Sequence, residues 1–326
     1  MRLMVTGGAG FIGSNFVRQA LQNSAVGIDS ITVLDALTYA GIKENLDSVT
    51  GQGNLIFIEG NICDSALVGS ILKDIDAVVN FAAESHVDRS INSAAEFVET
   101  NMAGVQVLLD SIKESGRKIR FLQVSTDEVY GSIESGSWDE NCPLLPNSPY
   151  SASKAGGELL ARAYHRTHGM DVIITRCSNN YGPYHFPEKL IPLFITNLLE
   201  GKKVPVYGNG QNVRDWLHVD DHCRGIHAAL MNGKSGEVYN IGGGRELTNL
   251  EITNLILEAM GADESSIEYV EDRKGHDLRY SVDWSKIKRE LGYEPQVKFE
   301  DGLRETIQWY RDNRAWWEPL KKRAGL

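Results

Sequence analysis

Leu3-Met4-Val5-Thr6-Gly7-Gly8-Ala9-Gly10-Phe11-Ile12-Gly13 is the stretch that decides the fold. Its first three residues form an apolar run suited to a buried strand, and from Phe11 to Leu21 apolar residues recur at helical spacing. Between them, Gly7, Gly10 and Gly13 make a G-x-x-G-x-x-G turn. Such glycines permit a tight bend, let backbone approach a diphosphate, and bring helix close to sheet. The helix N-terminus then offers unpaired N–H groups to the anion. Asp35 follows about 20 residues on, at the end of a second apolar run. A carboxylate there accepts from a ribose 2′-hydroxyl and repels a 2′-phosphate, so NAD is expected rather than NADP.

Outward from this unit, short apolar runs recur at 31–34, 55–58, 77–81, 119–124 and 172–174, with helical patterns at 97–115 and 150–167. The alternation predicts an α/β doubly wound parallel sheet, a Rossmann arrangement. Ligands of such sheets lie at the carboxyl ends of strands, where Gly7, Asp35, Ala82, Ser125 and Arg176 fall. After Arg176 the rhythm changes. Residues 179–187 read as loop, 204–207 and 238–241 as short strands, and 247–260 and 299–313 as helices. The expected division is an NAD-binding unit of 1–176 plus roughly 214–241. A second, smaller α/β substrate-binding unit takes 177–213 plus 242–326.

Composition excludes several classes. The 326 residues carry a net charge of −11, and the only dense basic cluster is Lys321-Lys322-Arg323, so nucleic acid is not an expected partner. No run of about 18 apolar residues suggests a membrane span. Cys63, Cys142, Cys177 and Cys223 form no C-x-x-C pair and are too few for a disulfide scaffold, which points to free thiols and a cytoplasmic setting.

Two further patterns carry chemistry. Thr126-Asp127-Glu128 ends the fifth apolar run, and Tyr150 and Lys154 stand four apart at the start of a helical pattern, with Pro149 before them. An ammonium beside a phenol, together with an oxidised nicotinamide ring, favours the phenolate and makes a base for a sugar hydroxyl. Two neighbouring carboxyl groups do not both ionise freely, so one is expected to stay neutral and act as an acid. Ser85, His86 and Asp88 follow the fourth strand and are placed toward the nicotinamide and the sugar. Arg214 and Arg273 are the candidate cations for a diphosphate. His218 and His222, four apart with Asp220-Asp221 between, lack a His-Glu-x-x-His pattern. No metal is expected there, and the Asp pair reads as a helix cap. Trp316-Trp317 reads as packing of a terminal helix.

Taken together, the glycine turn, Asp35 to Gly41, Ala82 to Ser90, Ser125 to Gly131, Tyr150 to Lys154, Arg176 to Pro187, Arg214-Asp215-Trp216 and Arg273 to Asp277 resemble the extended short-chain dehydrogenase/reductase superfamily. The resemblance spans essentially the whole chain and is strongest to its 4,6-dehydratase branch acting on dTDP-glucose, for which the Thr-Asp-Glu trio is the marker. Relatives that only epimerise usually lack the Asp-Glu pair. The resemblance implies conversion of dTDP-glucose to dTDP-4-keto-6-deoxyglucose and water. Tyr150 would take the 4-hydroxyl proton as hydride leaves C4 for NAD⁺, with Thr126 bonding the same oxygen. Glu128 would remove the C5 proton, Asp127 would protonate the departing 6-hydroxyl, and hydride would return to C6, which regenerates bound NAD.

The resemblance also implies cofactor contacts at Gly7, Gly10, Phe11, Ile12, Gly13, Asp35, Leu37, Thr38, Asn61, Ile62, Ala82, Ala83, Ser85, Thr100, Ser125, Tyr150, Lys154, Cys177 and Asn180. Asn61-Ile62 departs from the usual Asp-Ile at the adenine, which keeps an acceptor and adds a donor. Asn179, Lys189, Leu190, Asn249 and His276 are implied around the two arginines, and Pro205, Val206 and Tyr207 around the base. A homodimer built through the helices at 97–115 and 150–167 is implied as well. A 4-epimerase or decarboxylase on the same scaffold, or a silent NAD-binding sensor, are the other readings.

Overall fold

The computed structural model describes residues 1–22 and 27–326. Its strands are β1 (Arg2–Thr6), β2 (Ser30–Asp35), β3 (Leu55–Glu59), β4 (Ala77–Asn80), β5 (Arg120–Thr126), β6 (Val172–Cys177), β7 (Asn179–Tyr181), β8 (Val204–Tyr207), β9 (Val213–His218), β10 (Val238–Ile241), β11 (Glu246–Thr248) and β12 (Ile267–Val270). Seven of them form one sheet in the order β10-β6-β5-β4-β1-β2-β3, and every pairing in it is parallel. Helices cover both faces. Along β1, Leu3 and Val5 enter one apolar core and Met4 the other, as the alternation of a strand requires. The expected doubly wound sheet is therefore the observed fold.

The strand order reverses between β1 and β4, and that switch point opens the crevice in which such sheets bind ligands. Two glycines at the end of β1 cannot be replaced without moving backbone. Gly7 has φ +66°, and a Cβ on Gly13 would lie 2.2 Å from the Gly7 carbonyl oxygen.

Three elements differ from the sequence reading. The pattern at 97–115 is not one regular helix: Ala95–Val98 and Val105–Glu114 are joined by a π-helical turn, Glu99–Gly104. The wide turn aims Asn101 inward, where its side chain accepts from the Glu84 N–H and donates to the Glu84 carbonyl and to Ser153. Apolar spacing does not encode such a bulge. Second, the loop expected after Asn179 opens with β7, which pairs with β9, itself paired antiparallel with β11. Within 214–241, then, β9 belongs to this separate sheet, whereas the Val219–Asn232 helix packs on the large one and β10 is its edge strand. Third, the helix at Val219–Asn232 is capped by His218, whose Nδ1 accepts from the Asp220 N–H, and not by the Asp pair.

A third apolar cluster organises the smaller lobe. Ile195, Val206, Ile256, Ile307 and Trp317 are buried in it. Trp316 packs against the same cluster and also donates its indole N–H to Asn45 at 3.0 Å, which ties the terminal helix to the large sheet's side.

Candidate active site

The carboxyl ends of β1, β2, β4, β5 and β6 face a single cavity of about 650 Å³. It runs from the glycine turn to residues of the smaller lobe. Its wall includes every residue assigned from sequence to catalysis or to the nucleotide sugar, and every assigned cofactor residue except Leu37. Leu37 adopts φ 47° and donates its N–H to Asp35 at 2.8 Å, so it holds the carboxylate from behind. The other Asp35 oxygen accepts the Ala9 N–H at 2.8 Å. Each oxygen keeps a free lone pair, which suits a ribose diol. Arg176, named for its strand end, is also outside the wall: it is a fully buried residue of β6.

Local sequence explains the placement of the reacting groups. Ser148 caps the Pro149–His168 helix in a reciprocal box with Ser151, and Pro149 takes the first helical position. Tyr150 and Lys154 thus occupy the first two turns on one face. The Lys154 ammonium donates to the Val124 carbonyl at 2.7 Å, and burial lowers its pKa to about 8. Burial also holds the Tyr150 phenol well above its ordinary value. The negative charges of Glu128 and Asp127 push the same way, and a hydrogen bond with Thr126 opposes them. The protein's own groups therefore favour the protonated phenol, and the expected lowering falls to the ammonium and the oxidised nicotinamide ring acting together.

Thr126 caps the short 3-10 turn Asp127–Tyr130, accepting the Glu128 N–H at 3.3 Å and bonding Asp127 at 3.2 Å. The two acids stand in different fields. Asp127 is buried, has an unpartnered carboxylate oxygen, and is raised well above its ordinary pKa by burial and by Glu128 and Asp215. Glu128 is raised by burial too, but Arg273, Arg214 and Lys189 pull it down. Burial thus favours the protonated form of both acids, and most strongly that of Asp127, while the cations favour ionisation of Glu128.

The far end of the cavity is cationic. Buried Arg214 bonds the backbone carbonyls of Val213, Leu278 and Asp277 and lies 4.3 Å over the Tyr280 ring. A buried guanidinium held by carbonyls leaves its charge available to an anion. Arg273 has an unpartnered Nε and reaches Asp88 at 3.8 Å. Lys189 immediately precedes the Leu190–Leu199 helix, and its ammonium donates to the Ser85 carbonyl at 2.9 Å, both residues lining the cavity. Burial lowers His86 and His276 to about 4, with Lys189 acting on the first and Arg273 on the second, so both rings are neutral.

Four residues that sequence reasoning missed also line the wall: His185, Glu188, Tyr280 and Trp316. His185 stacks on Phe11 with ring centroids 4.1 Å apart. Glu188 lies 3.6 Å from Arg89, and Tyr280 donates to Asp277 at 2.5 Å. Glu188 and Tyr280 were within reach, since each lies close in sequence to an assigned residue. His185 and Trp316 depend on long-range packing. Among the described residues no group of three His, Cys, Asp or Glu side chains is placed to hold a metal ion. His222 bonds Asn180 at 2.9 Å instead.

A Rossmann sheet, a glycine turn leading to Asp35, and Tyr150, Lys154 and an acid pair in one cavity define an extended short-chain dehydrogenase/reductase. A family model described as GDP-mannose 4,6 dehydratase matches residues 4–306, and the chain belongs to that family. It is 58% identical over 323 residues to a dTDP-glucose 4,6-dehydratase of Streptomyces niveus, covering 98% of this chain and 96% of the relative. A solved dTDP-glucose 4,6-dehydratase of Streptomyces venezuelae, with NAD and dTDP bound, superposes with TM-score 0.97 at 61% identity over 98% of this chain and all of that one. A UDP-glucose 4-epimerase of Thermotoga maritima is similar at TM-score 0.88 and 33% identity over 96% of this chain and 100% of that one.

Proposed function

We propose that this chain is an NAD-dependent dTDP-glucose 4,6-dehydratase, a hydro-lyase that forms dTDP-4-keto-6-deoxyglucose. One observation carries the reading: Asp127 and Glu128 sit on one turn in the cavity that also holds Tyr150 and Lys154, both raised by burial, with three cations opposing the rise at Glu128. The cavity fits the cofactor. Its glycine turn approaches closely, Asp35 has spare acceptors, and buried oxygens at Ser125 and Asn179 await partners. Gly7 to Gly13, Asp35, Asn61-Ile62, Ala82-Ala83, Thr100, Cys177 and Asn180 would hold it. When bound, nicotinamide supplies reversible hydride uptake and, in its oxidised form, a positive charge that brings a neighbouring phenol toward ionisation.

The residues then divide the work. Tyr150, bonded to Thr126, takes the 4-hydroxyl proton. The 4-ketone acidifies C5, and Glu128, raised by burial but facing Arg273, Arg214 and Lys189, which favour its ionised form, removes that proton. Asp127, whose protonated form is favoured by burial and by Glu128 and Asp215, gives its proton to the departing 6-hydroxyl. Arg214 and Arg273 bind the diphosphate, with Pro205, Val206, Tyr207 and Asn249 at the nucleoside end.

Exposed apolar side chains at Val98 (48%) and Leu159 (51%), on adjacent helices, support a homodimer built through that surface. The four free thiols support a cytoplasmic setting, and no described helix is long and apolar enough to cross a membrane. The division into 1–176 with 214–241, and 177–213 with 242–326, stays our proposal for the units that carry cofactor and nucleotide sugar.

Incubation with dTDP-glucose and detection of the keto product by its alkaline absorbance tests the function. UDP-, CDP- and GDP-hexoses form the control panel. Product from none of the four overturns it. A 4-epimerase would leave C5 without solvent deuterium, whereas the dehydratase labels it.

A further inference from the structure

Arg176 and Glu158 are the most enclosed ion pair in the described residues, with both side chains 0% exposed. Arg176 Nε donates to Glu158 Oε2 at 3.0 Å, and Nη2 donates to the other oxygen, which completes a bidentate fork. Isolating two charges from water is costly, and an apolar pair of equal volume often serves stability as well or better. Stability alone therefore gives little reason for this pair, and its connections supply another.

Glu158 lies one helical turn beyond Lys154 and two beyond Tyr150, on the same face of the Pro149–His168 helix. The third donor of Arg176, Nη1, reaches the Tyr130 hydroxyl at 2.5 Å, and the guanidinium lies 4.6 Å from the centre of that ring. Tyr130 closes the Asp127–Tyr130 turn and is itself fully buried. Its hydroxyl donates onward to Asn240 Oδ1 on β10 at 2.9 Å, so both its donor and an acceptor site are engaged and its direction is set. Asn240 in turn donates to the Trp138 and Asp283 carbonyls. One buried chain of bonds thus joins the helix bearing the phenol and ammonium to the turn bearing the two acids. None of Tyr130, Glu158, Arg176 or Asn240 lines the cavity.

We propose that Glu158, Arg176 and Tyr130 are positioning residues that hold the acid turn in register with the Tyr150–Lys154 helix, so that elimination follows oxidation without delay. The proposal rests on the dehydratase reading. The two steps use groups on different elements, and a displacement of about 1 Å between them can cost as much as 100-fold in rate.

Tyr130→Phe is the decisive variant, because it keeps the ring and its stacking on Trp138 and removes only the hydroxyl. The expected result with dTDP-glucose is a kcat about tenfold lower and a KM changed by less than about twofold, with reduced nicotinamide accumulating on the enzyme during turnover. The paired variant Arg176→Met with Glu158→Leu should melt no lower than wild type and show the same kcat loss. Wild-type kcat in Tyr130→Phe, or a lower melting temperature with unchanged kcat, overturns the proposal, and Tyr130→Phe decides alone if the pair does not fold. Wild-type enzyme that makes no keto product fails the functional reading instead, so the two failures are distinguishable.

Discussion

At the scale of single residues, the site works by placing like groups in unlike fields. Asp127 and Glu128 are neighbours of similar chemistry, yet one is shut from water beside Asp215 and the other faces Arg214, Arg273 and Lys189. Asp127 has a folded pKa above its unfolded one, so the folded state holds a proton that the unfolded chain releases near pH 4. Its contribution to stability is complete in acid and is lost as pH rises toward the folded value. Asp127→Asn should therefore raise stability at neutral pH by roughly 1–3 kcal/mol, seen as a higher melting temperature, and the gain should vanish as pH approaches about 4. The same variant should lose about 10²–10⁴ in kcat with little change in KM. Melting curves across pH and the keto assay check the two halves separately. Arg214→Met should act in the opposite sense on the kinetics, raising KM about 10–100-fold through loss of a charge-assisted diphosphate contact.

Elements carry these residues only because their ends are specified. Ser148, Pro149 and Ser151 start the catalytic helix, Thr126 caps the acid turn, and Lys189, which lines the cavity, immediately precedes the Leu190–Leu199 helix. The glycine turn is the tightest of these junctions. Gly13→Ala places a methyl group on the Gly7 carbonyl and must part the first helix from β1. The expected cost is about 1–3 kcal/mol of stability and at least about tenfold in NAD affinity, read by calorimetry and by cofactor retention on a desalting column. Where an element lacked a periodic signal, the sequence was silent. The π-helical turn that aims Asn101 at Glu84 and Ser153 interrupts a pattern that reads as one helix, and β7 is too short to show alternation.

At the scale of the molecule, two lobes share one cavity. The large sheet supplies the glycine turn, Asp35, the acid trio and the Tyr150–Lys154 helix, β9 of the three-stranded sheet supplies Arg214, and later segments supply Asn249, Arg273 and Tyr280. Contacts such as Lys189 to Ser85 and Trp316 to Asn45 bind the lobes across it. The apolar surface at Val98 and Leu159 is outside this arrangement. Replacing both with Glu should turn a dimer into a monomer in sedimentation at micromolar concentration, because like charges would face one another across a two-fold interface. A monomer in the unsubstituted chain would count against the dimer.

Much of this was legible in the chain itself. Strand-helix alternation, the glycine turn with Asp35, and the spacing of Tyr150 and Lys154 are local patterns, and local patterns are set by backbone geometry within a few residues. Tertiary structure alone decided how the two acids differ, since a carboxyl pKa depends on burial and on charges brought in from positions 189, 214 and 273. It also decided that Arg176 turns away from the cavity to Glu158 and that His185 stacks on Phe11. Such pairings join residues far apart in sequence, and no spacing along the chain records a contact that only folding creates.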